Sequence, residues 1–242
     1  MNPLPQFERT HILLGDAGLA RLARAHVLVA GLGGVGSYCA EALARAGVGA
    51  LTLIDMDVVA ESNINRQLPA LLSTVGQAKV DLMAARVRDI NPACRLITHR
   101  VFLTPDNVAT EIPATIDYVV DCIDSLNCKV ALVASCVQRR IPVASSMGAG
   151  NKLDPARVRL ADIARTRQDP LAALMRKRLR RRGISRGVLT VYSDEPSRPP
   201  RPPEPVQGHG RPRAVNGTIS YLPPLFGLML AGAVVKVILE RD

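Results

Sequence analysis

The stretch Val27 to Asp57, VLVAGLGGVGSYCAEALARAGVGALTLIDMD, limits the possible folds more than any other part of the chain. Four apolar residues run into Gly31-Leu32-Gly33-Gly34-Val35-Gly36, an alanine-rich helical pattern follows, and a second apolar run ends at Asp55-Met56-Asp57. This order predicts a strand, a phosphate-binding turn, a helix and a second strand. Gly31, Gly33 and Gly36 let backbone N–H groups and the helix N-terminus come close to phosphate oxygens. Asp55, nineteen residues beyond Gly36, falls at the end of the second strand, where a carboxylate can accept hydrogen bonds from ribose hydroxyls.

Further along, Val80, Met83, Ala84, Val87 and Ile90 recur at helical spacing, and Asn91-Pro92 stops that helix. Leu96 to Phe102 reads as a strand, Thr104 to Asn107 as a helix start and Asp117 to Asp121 as a short buried strand. A helix to about Arg140 and a strand at Ile141 to Ser145 complete the alternation. The expected fold is therefore α/β: a Rossmann-like, mostly parallel sheet with helices on both faces, and a C-terminal extension holding a crossover segment and an apolar helix. Within a single unit over 1–242, the divisions are a nucleotide-binding core at 24–150, a basic crossover segment at 151–193, a mobile Pro/Arg loop at 194–213, and a C-terminal strand and helix at 214–242. In the crossover segment, Arg157 to Ile163 reads as an exposed strand and Pro170 to Arg182 as a basic helix. The apolar helix, from about Leu225 to Leu239, is shorter than the roughly 20 residues that span a bilayer, so a core or dimer helix is expected and stable membrane insertion is not.

The glycine turn alone does not separate a dinucleotide from ATP. The residues after Asp57 favour ATP, because a triphosphate needs cations near its β and γ phosphates and hydride transfer does not. Arg66 can fork onto phosphate oxygens, and Lys79, at a helix start, supplies a point charge. Asp124, just past the strand that ends at Asp121, suits magnesium, which binds through one or two carboxylates and keeps most of its waters. Asp121 can cap or support that turn instead. The expected cofactors are ATP and Mg2+.

Composition narrows the partners. With 31 Lys and Arg against 21 Asp and Glu, the net charge is +10, which suits a polyanion. Aromatic residues make up 3% and Trp is absent, so recognition of nucleic acid by stacked aromatic platforms is disfavoured. Arg176, Lys177, Arg178, Arg180, Arg181 and Arg182 put six cations in seven residues, too dense for one helical face and suited to the phosphates of a polyanion. The five cysteines form no C-x-x-C pair, which argues against a zinc knuckle and a disulfide framework. Met1 to Arg9 has no basic start followed by an apolar core, so a cytoplasmic location is expected.

These motifs resemble the ubiquitin-activating-enzyme-like superfamily of adenylating enzymes, which includes MoeB and ThiF. The match runs through G-x-G-G-x-G at Gly31 to Gly36, L-I-D-x-D at Leu53 to Asp57, N-x-N-R-Q at Asn63 to Gln67, V-G-Q-x-K at Val75 to Lys79, and D-x-x-D-S at Asp121 to Ser125. Within it, Gly148 to Pro155, Asp162 to Thr166, Gln168 to Ala172, Val191 to Glu195 and Asn216 to Ser220 are similar to the tRNA threonylcarbamoyladenosine dehydratase (TcdA/CsdL) group.

The resemblance implies ATP-driven dehydration of N6-threonylcarbamoyladenosine in tRNA. Its carboxylate would be adenylated with loss of pyrophosphate, and closure of the ring would then expel AMP. By motif match, Gly31, Gly33, Gly34, Gly36, Asp55, Asp57, Asn63, Arg66, Gln67 and Lys79 would hold the nucleotide, and Asp124 the metal. Catalysis would fall to Arg66, Lys79, Asp124 and Arg9, the last reaching the ATP of a neighbouring subunit in a homodimer. Some relatives also work with a sulfur-relay protein. The alternative within the superfamily is a MoeB- or ThiF-like activator of a sulfur-carrier or ubiquitin-like C-terminus. Absent zinc cysteines, the lack of any cysteine after Cys136 and the basic run disfavour it. An NAD-dependent oxidoreductase and a catalytically silent nucleotide-binding scaffold are the remaining readings.

Overall fold

The computed structural model describes residues 4–204 and 213–240. Its frame is a seven-stranded sheet in the order β3-β2-β1-β4-β5-β7-β6, with β1 at His26–Ala30, β2 at Ala50–Ile54, β3 at Arg95–His99, β4 at Tyr118–Asp121, β5 at Val143–Ser146, β6 at Val158–Asp162 and β7 at Leu189–Ser193. Every pairing is parallel except that of β6 with β7. From β1 the chain crosses to β2 on one side, and later places β4 on the other, so the C-terminal ends of β1 and β4 open a crevice where such sheets bind ligands.

β1, β2 and β4 are buried along their whole length because both faces are covered. Val27 and Val29 of β1, with Tyr118 and Val120 of β4, belong to one core, while Leu28, Ala30 and Val119 belong to the other. The first core is closed by α1 (Glu8–Arg24), α2 (Gly36–Ala46), α3 (Lys79–Ile90) and α7 (Leu222–Leu239). The second is closed by α4 (Val108–Glu111), α5 (Leu126–Gln138) and α6 (Pro170–Arg180). Gly47, at φ +94°, ends α2 in the left-handed conformation that glycine adopts without strain.

Several elements differ from the sequence expectation. α1 replaces an unassigned N-terminal stretch and is broken by Gly15 at φ +66°. β3 stops at His99, and residues 100–103 bend away towards the crevice. β7 adds a buried strand between β5 and β6 that periodicity did not single out, since a run of five residues carries no clear period. Within and just beyond the stretch 194–213, a two-stranded antiparallel ribbon pairs β8 (Arg201–Glu204) with β9 (Arg213–Val215). Its register slips at Pro202, a residue with no N–H to give a ladder. The centre of the expected mobile loop, 205–212, lies outside the described residues. After β9, Asn216 to Tyr221 is an irregular strap, bent at its end, that does not join the sheet.

α7 starts at Leu222 rather than Leu225, because prolines are tolerated in a first helical turn, where their missing N–H groups would have had no partner. At 18 residues it is long and apolar enough to cross a membrane by length and composition. It packs within the protein instead, burying Leu222, Phe226, Leu230, Val234 and Ile238. Gly227 sets its approach to α2: a Cβ there would lie 2.2 Å from Val35 O and 3.1 Å from Cys39 N. Gly227→Ala should therefore force the helices apart and cost about 1–3 kcal/mol by overpacking. Urea unfolding reads this as a lower midpoint at unchanged slope, and an unaltered midpoint would show that α7 shifts freely.

Candidate nucleotide site

A cavity of about 390 Å³ lies at the ends of β1, β2 and β4. The turn after β1 forms its floor. Gly31 takes φ +87°, and a Cβ on it would meet Cys122 O at 2.8 Å; a Cβ on Gly36 would meet Gly31 O at 1.7 Å. These two glycines let the strand end, α2 and the β4 exit pack together. Gly33 is different, because a Cβ there would have only the Gln67 amide nearby, at 3.7 Å, so its outer side is open. No side chain caps α2; its Ser37 and Cys39 N–H groups bond back to Gly33 O and Val35 O, and the N–H groups of Gly33, Gly34 and Val35, which line the cavity, have no partner among the described residues.

Asp55 ties the floor to the wall. Its Oδ2 accepts the Leu32 N–H at 2.6 Å and its Oδ1 accepts the Asp57 N–H at 2.8 Å. Burial raises its pKa, opposed by these two amides and by the charge of Lys79. Each oxygen has capacity to accept a further hydrogen bond, and Asp55 lines the cavity. Lys79, 5% exposed, donates from Nζ to Asp57 Oδ2 at 2.9 Å, which holds its charge at the cavity edge. Arg66 also lines the cavity, its Nη1 donating to Ser62 O and Asn65 Oδ1, each at 2.8 Å. Burial draws its pKa down, yet a guanidinium stays charged throughout the physiological range.

Gln67 lines the same wall, and its buried Oε1 has no hydrogen-bond partner among the described residues. A buried orphan of this kind calls for a partner that the chain itself does not supply. Asn63 lies off the cavity lining: its Oδ1 accepts the Ala60 N–H at 3.1 Å, and its carbonyl accepts the Arg66 and Gln67 N–H groups. It shapes the turn that presents the next two site residues.

Beyond β4, Asp124 is exposed and lines the cavity, whereas Asp121 is fully buried. Asp121 accepts from Lys129 Nζ at 2.8 Å, from Ser145 Oγ at 2.5 Å and from the Ile123 N–H at 3.2 Å. Lys129 also donates to Ser146 O at 2.9 Å. The sequence gives no sign of this buried lysine, which fastens the start of α5 to β4 and β5 beneath the Asp124 turn. Removing one member of such a pair strands a buried charge, a loss of about 3–5 kcal/mol. Among the described residues no group of three or more His, Cys, Asp or Glu could cage a metal. A lone carboxylate matches an ion that takes its other ligands from phosphate and water.

One side of the cavity is apolar, with Ile54, Met56, Val101, Phe102 and Leu103, and suits a flat base. Ala149, Cys122 and Pro223 also line the cavity. None of these was picked out from the sequence, where 96–102 read as one continuous strand. Burial pushes the Cys122 thiol well above its ordinary pKa, so it is a poor nucleophile. Burial likewise raises Cys94 to about 11 and Cys136 to about 12, and raises Cys39 further.

Arg9 is exposed on α1 and does not line the cavity of its own chain. The basic run divides. Met175 and Leu179 anchor α6 in the core, Arg176 Nη1 donates to Thr166 O at 3.1 Å, and Arg178 bonds Asn127 Oδ1. Lys177, Arg180, Arg181 and Arg182 are exposed and have no ion-pair partner among the described residues.

Known proteins share this arrangement. The chain is 50% identical over 192 residues to the tRNA threonylcarbamoyladenosine dehydratase of Bacillus subtilis, which covers 79% of this chain and 76% of that protein. The crystal structure of E. coli tRNA N6-threonylcarbamoyladenosine dehydratase, TcdA, in complex with AMP superposes with a TM-score of 0.86 at 42% identity, covering 96% of this chain and 93% of that one. The same E. coli protein in complex with ATP gives 0.84 at 40% identity with equal coverage. The ThiF family model matches residues 7–242, and with nearly the whole length accounted for, this chain belongs to the ThiF family.

Proposed function

We propose that this chain catalyses the ATP-dependent dehydration of N6-threonylcarbamoyladenosine in tRNA, a cyclisation through adenylation of the free carboxylate. The observation that carries this reading is the cavity in which the glycine turn, Arg66, Lys79 and Asp124 meet, in a chain half identical to an enzyme of that name. Bound ATP supplies an α phosphate for the carboxylate to attack and a leaving pyrophosphate. The free amides of Gly33, Gly34 and Val35 receive phosphate oxygens, and Arg66 and Lys79 stabilise charge that develops there. Asp55 holds the ribose and Val101 to Leu103 the adenine; Asp124 would hold a magnesium ion, which would offset phosphate charge. Ring closure is intramolecular, so the cavity's main task after adenylation is to hold the modification in an attack-ready conformation.

Raised thiol pKa values support a route without thiol transfer, and a sulfur-relay partner would meet this chain without exchanging a thiol with it. A tRNA substrate agrees with the cytoplasmic expectation. The deciding measurement is mass spectrometry of nucleosides from modified tRNA incubated with protein, ATP and magnesium. The product should be lighter than the starting nucleoside by one water, and each folded Cys→Ser variant should form it too. An unchanged nucleoside sinks the reading, and loss of turnover in one folded Cys→Ser variant sinks the thiol-free route.

Only four cations of the run are free to meet RNA. If Lys177, Arg180, Arg181 and Arg182 each neutralise one phosphate, tRNA affinity should fall on the order of a hundredfold between about 50 and 200 mM salt. Replacing the four with alanine should flatten that slope in a filter-binding assay, and an unchanged slope would return them to the status of solvated surface.

The position of Arg9 supports a homodimer in which it serves the partner's site, and Ile12 and Leu13 on the same helix are 71% and 81% exposed. Arg9→Ala and Asp124→Ala proteins should each be nearly inactive. Randomly mixed, half the dimers are hybrids with one complete site each, so roughly a quarter of wild-type activity should return. Verified hybrids no more active than either parent would remove the trans role.

A further inference from the structure

The strap Asn216 to Tyr221 is gripped on both sides by asparagine amides. On one side Asn65 donates from Nδ2 to Thr218 O at 3.0 Å, while its Oδ1 accepts from Arg66 Nη1 at 2.8 Å. On the other, Asn151 donates its N–H to Gly217 O at 2.8 Å, accepts the Gly217 N–H on Oδ1 at 2.7 Å, and donates from Nδ2 to Asn216 Oδ1 at 2.8 Å. Asn151 does this from φ +59°, a left-handed conformation rare for residues other than glycine and asparagine.

The next residue extends the path. Lys152 is 2% exposed and donates from Nζ to Asp169 Oδ2 at 2.8 Å and to Ser193 O at 2.9 Å. Asp169 in turn caps α6, accepting the Ala172 N–H on Oδ1 at 2.8 Å. Tyr221 Oη closes the strap onto Leu153 O at 2.8 Å. A continuous polar path thus leads from the Arg66 guanidinium through the strap to the N-cap of the helix that carries the basic run.

We propose that Asn65 and Asn151 are positioning residues, through which the strap makes the orientation of Arg66 depend on the placement of α6. This rests on the ATP and tRNA reading above. Both asparagines use donor and acceptor ends together, so displacing the strap breaks bonds on the Arg66 side and the α6 side in one movement. Docking of tRNA phosphates on α6 then favours the Arg66 pose that receives ATP, and by linkage ATP tightens tRNA by the same factor.

Calorimetry of ATP binding, with and without saturating tRNA that lacks the modification and so cannot turn over, gives that factor. Wild-type protein should bind ATP on the order of tenfold more tightly with tRNA present. Asn151→Gly keeps the left-handed backbone without strain and loses only the side-chain bonds. Its coupling factor should fall to about one, while ATP affinity without tRNA stays within about threefold of wild type. Asn65→Asp retains an acceptor for Arg66 but loses the donor to Thr218, so it should uncouple in the same way and carries the test if Asn151→Gly does not fold. A clamp that only stabilises the fold would lower the melting temperature and leave the coupling factor intact. Coupling that survives in both folded variants, or none in a wild type that binds both ligands, overturns the proposal. A wild type that binds no tRNA, or forms no dehydrated nucleoside, fails the underlying reading instead.

Discussion

The cavity depends on one buried carboxylate. Asp55 accepts an N–H from the turn after β1 and another from the exit of β2, so the two strand ends that flank the cavity are held in register by a single side chain. Burying a carboxylate is costly, and the two amides together with the nearby charge of Lys79 offset that cost. Lys79 is itself restrained by Asp57, two residues beyond Asp55. The acidic pair that ends β2 therefore organises both the floor and one cationic wall, before any ligand enters.

Much of this was legible from sequence, for reasons that can be traced. Parallel strands covered on both faces leave unbroken apolar runs, so β1, β2 and β4 stood out, and the glycine pattern between β1 and α2 fixed where phosphate could approach. α1 was hidden because Gly15 breaks it and because Ile12 and Leu13 are turned outward. β7 was hidden because its partner β5 lies a whole crossover segment earlier, and local pattern says nothing about pairing at that range.

At the site, residue types were readable but their contacts were not. Asn63 read as a phosphate ligand from its motif, yet its side chain turns to the Ala60 N–H. Its neighbour Asn65 drew no attention, although it is the one that touches Arg66. Lys129 sits inside an apolar helix and declares nothing until Asp121 is seen opposite it. The basic run looked uniform in sequence. Helical geometry divided it, turning Met175 and Leu179 inward and leading Arg176 and Arg178 to contacts on the body of the protein.

The prolines that open α7 affect the chemistry beside the glycine turn. Helix starts usually offer a small cluster of unpaired N–H donors that attract anions. Here Pro223 and Pro224 remove two of them where the helix meets the glycine turn, with Pro223 lining the cavity and lying 3.0 Å from where a Gly34 Cβ would stand. Two helices thus begin beside one crevice, and the backbone donors lie on the turn that leads into α2. The lining is uneven as a result, with donors on the glycine turn and a donor-poor proline packed directly against it. An anion placed against Pro223 finds no backbone N–H on that residue and must take its hydrogen bonds from the turn instead.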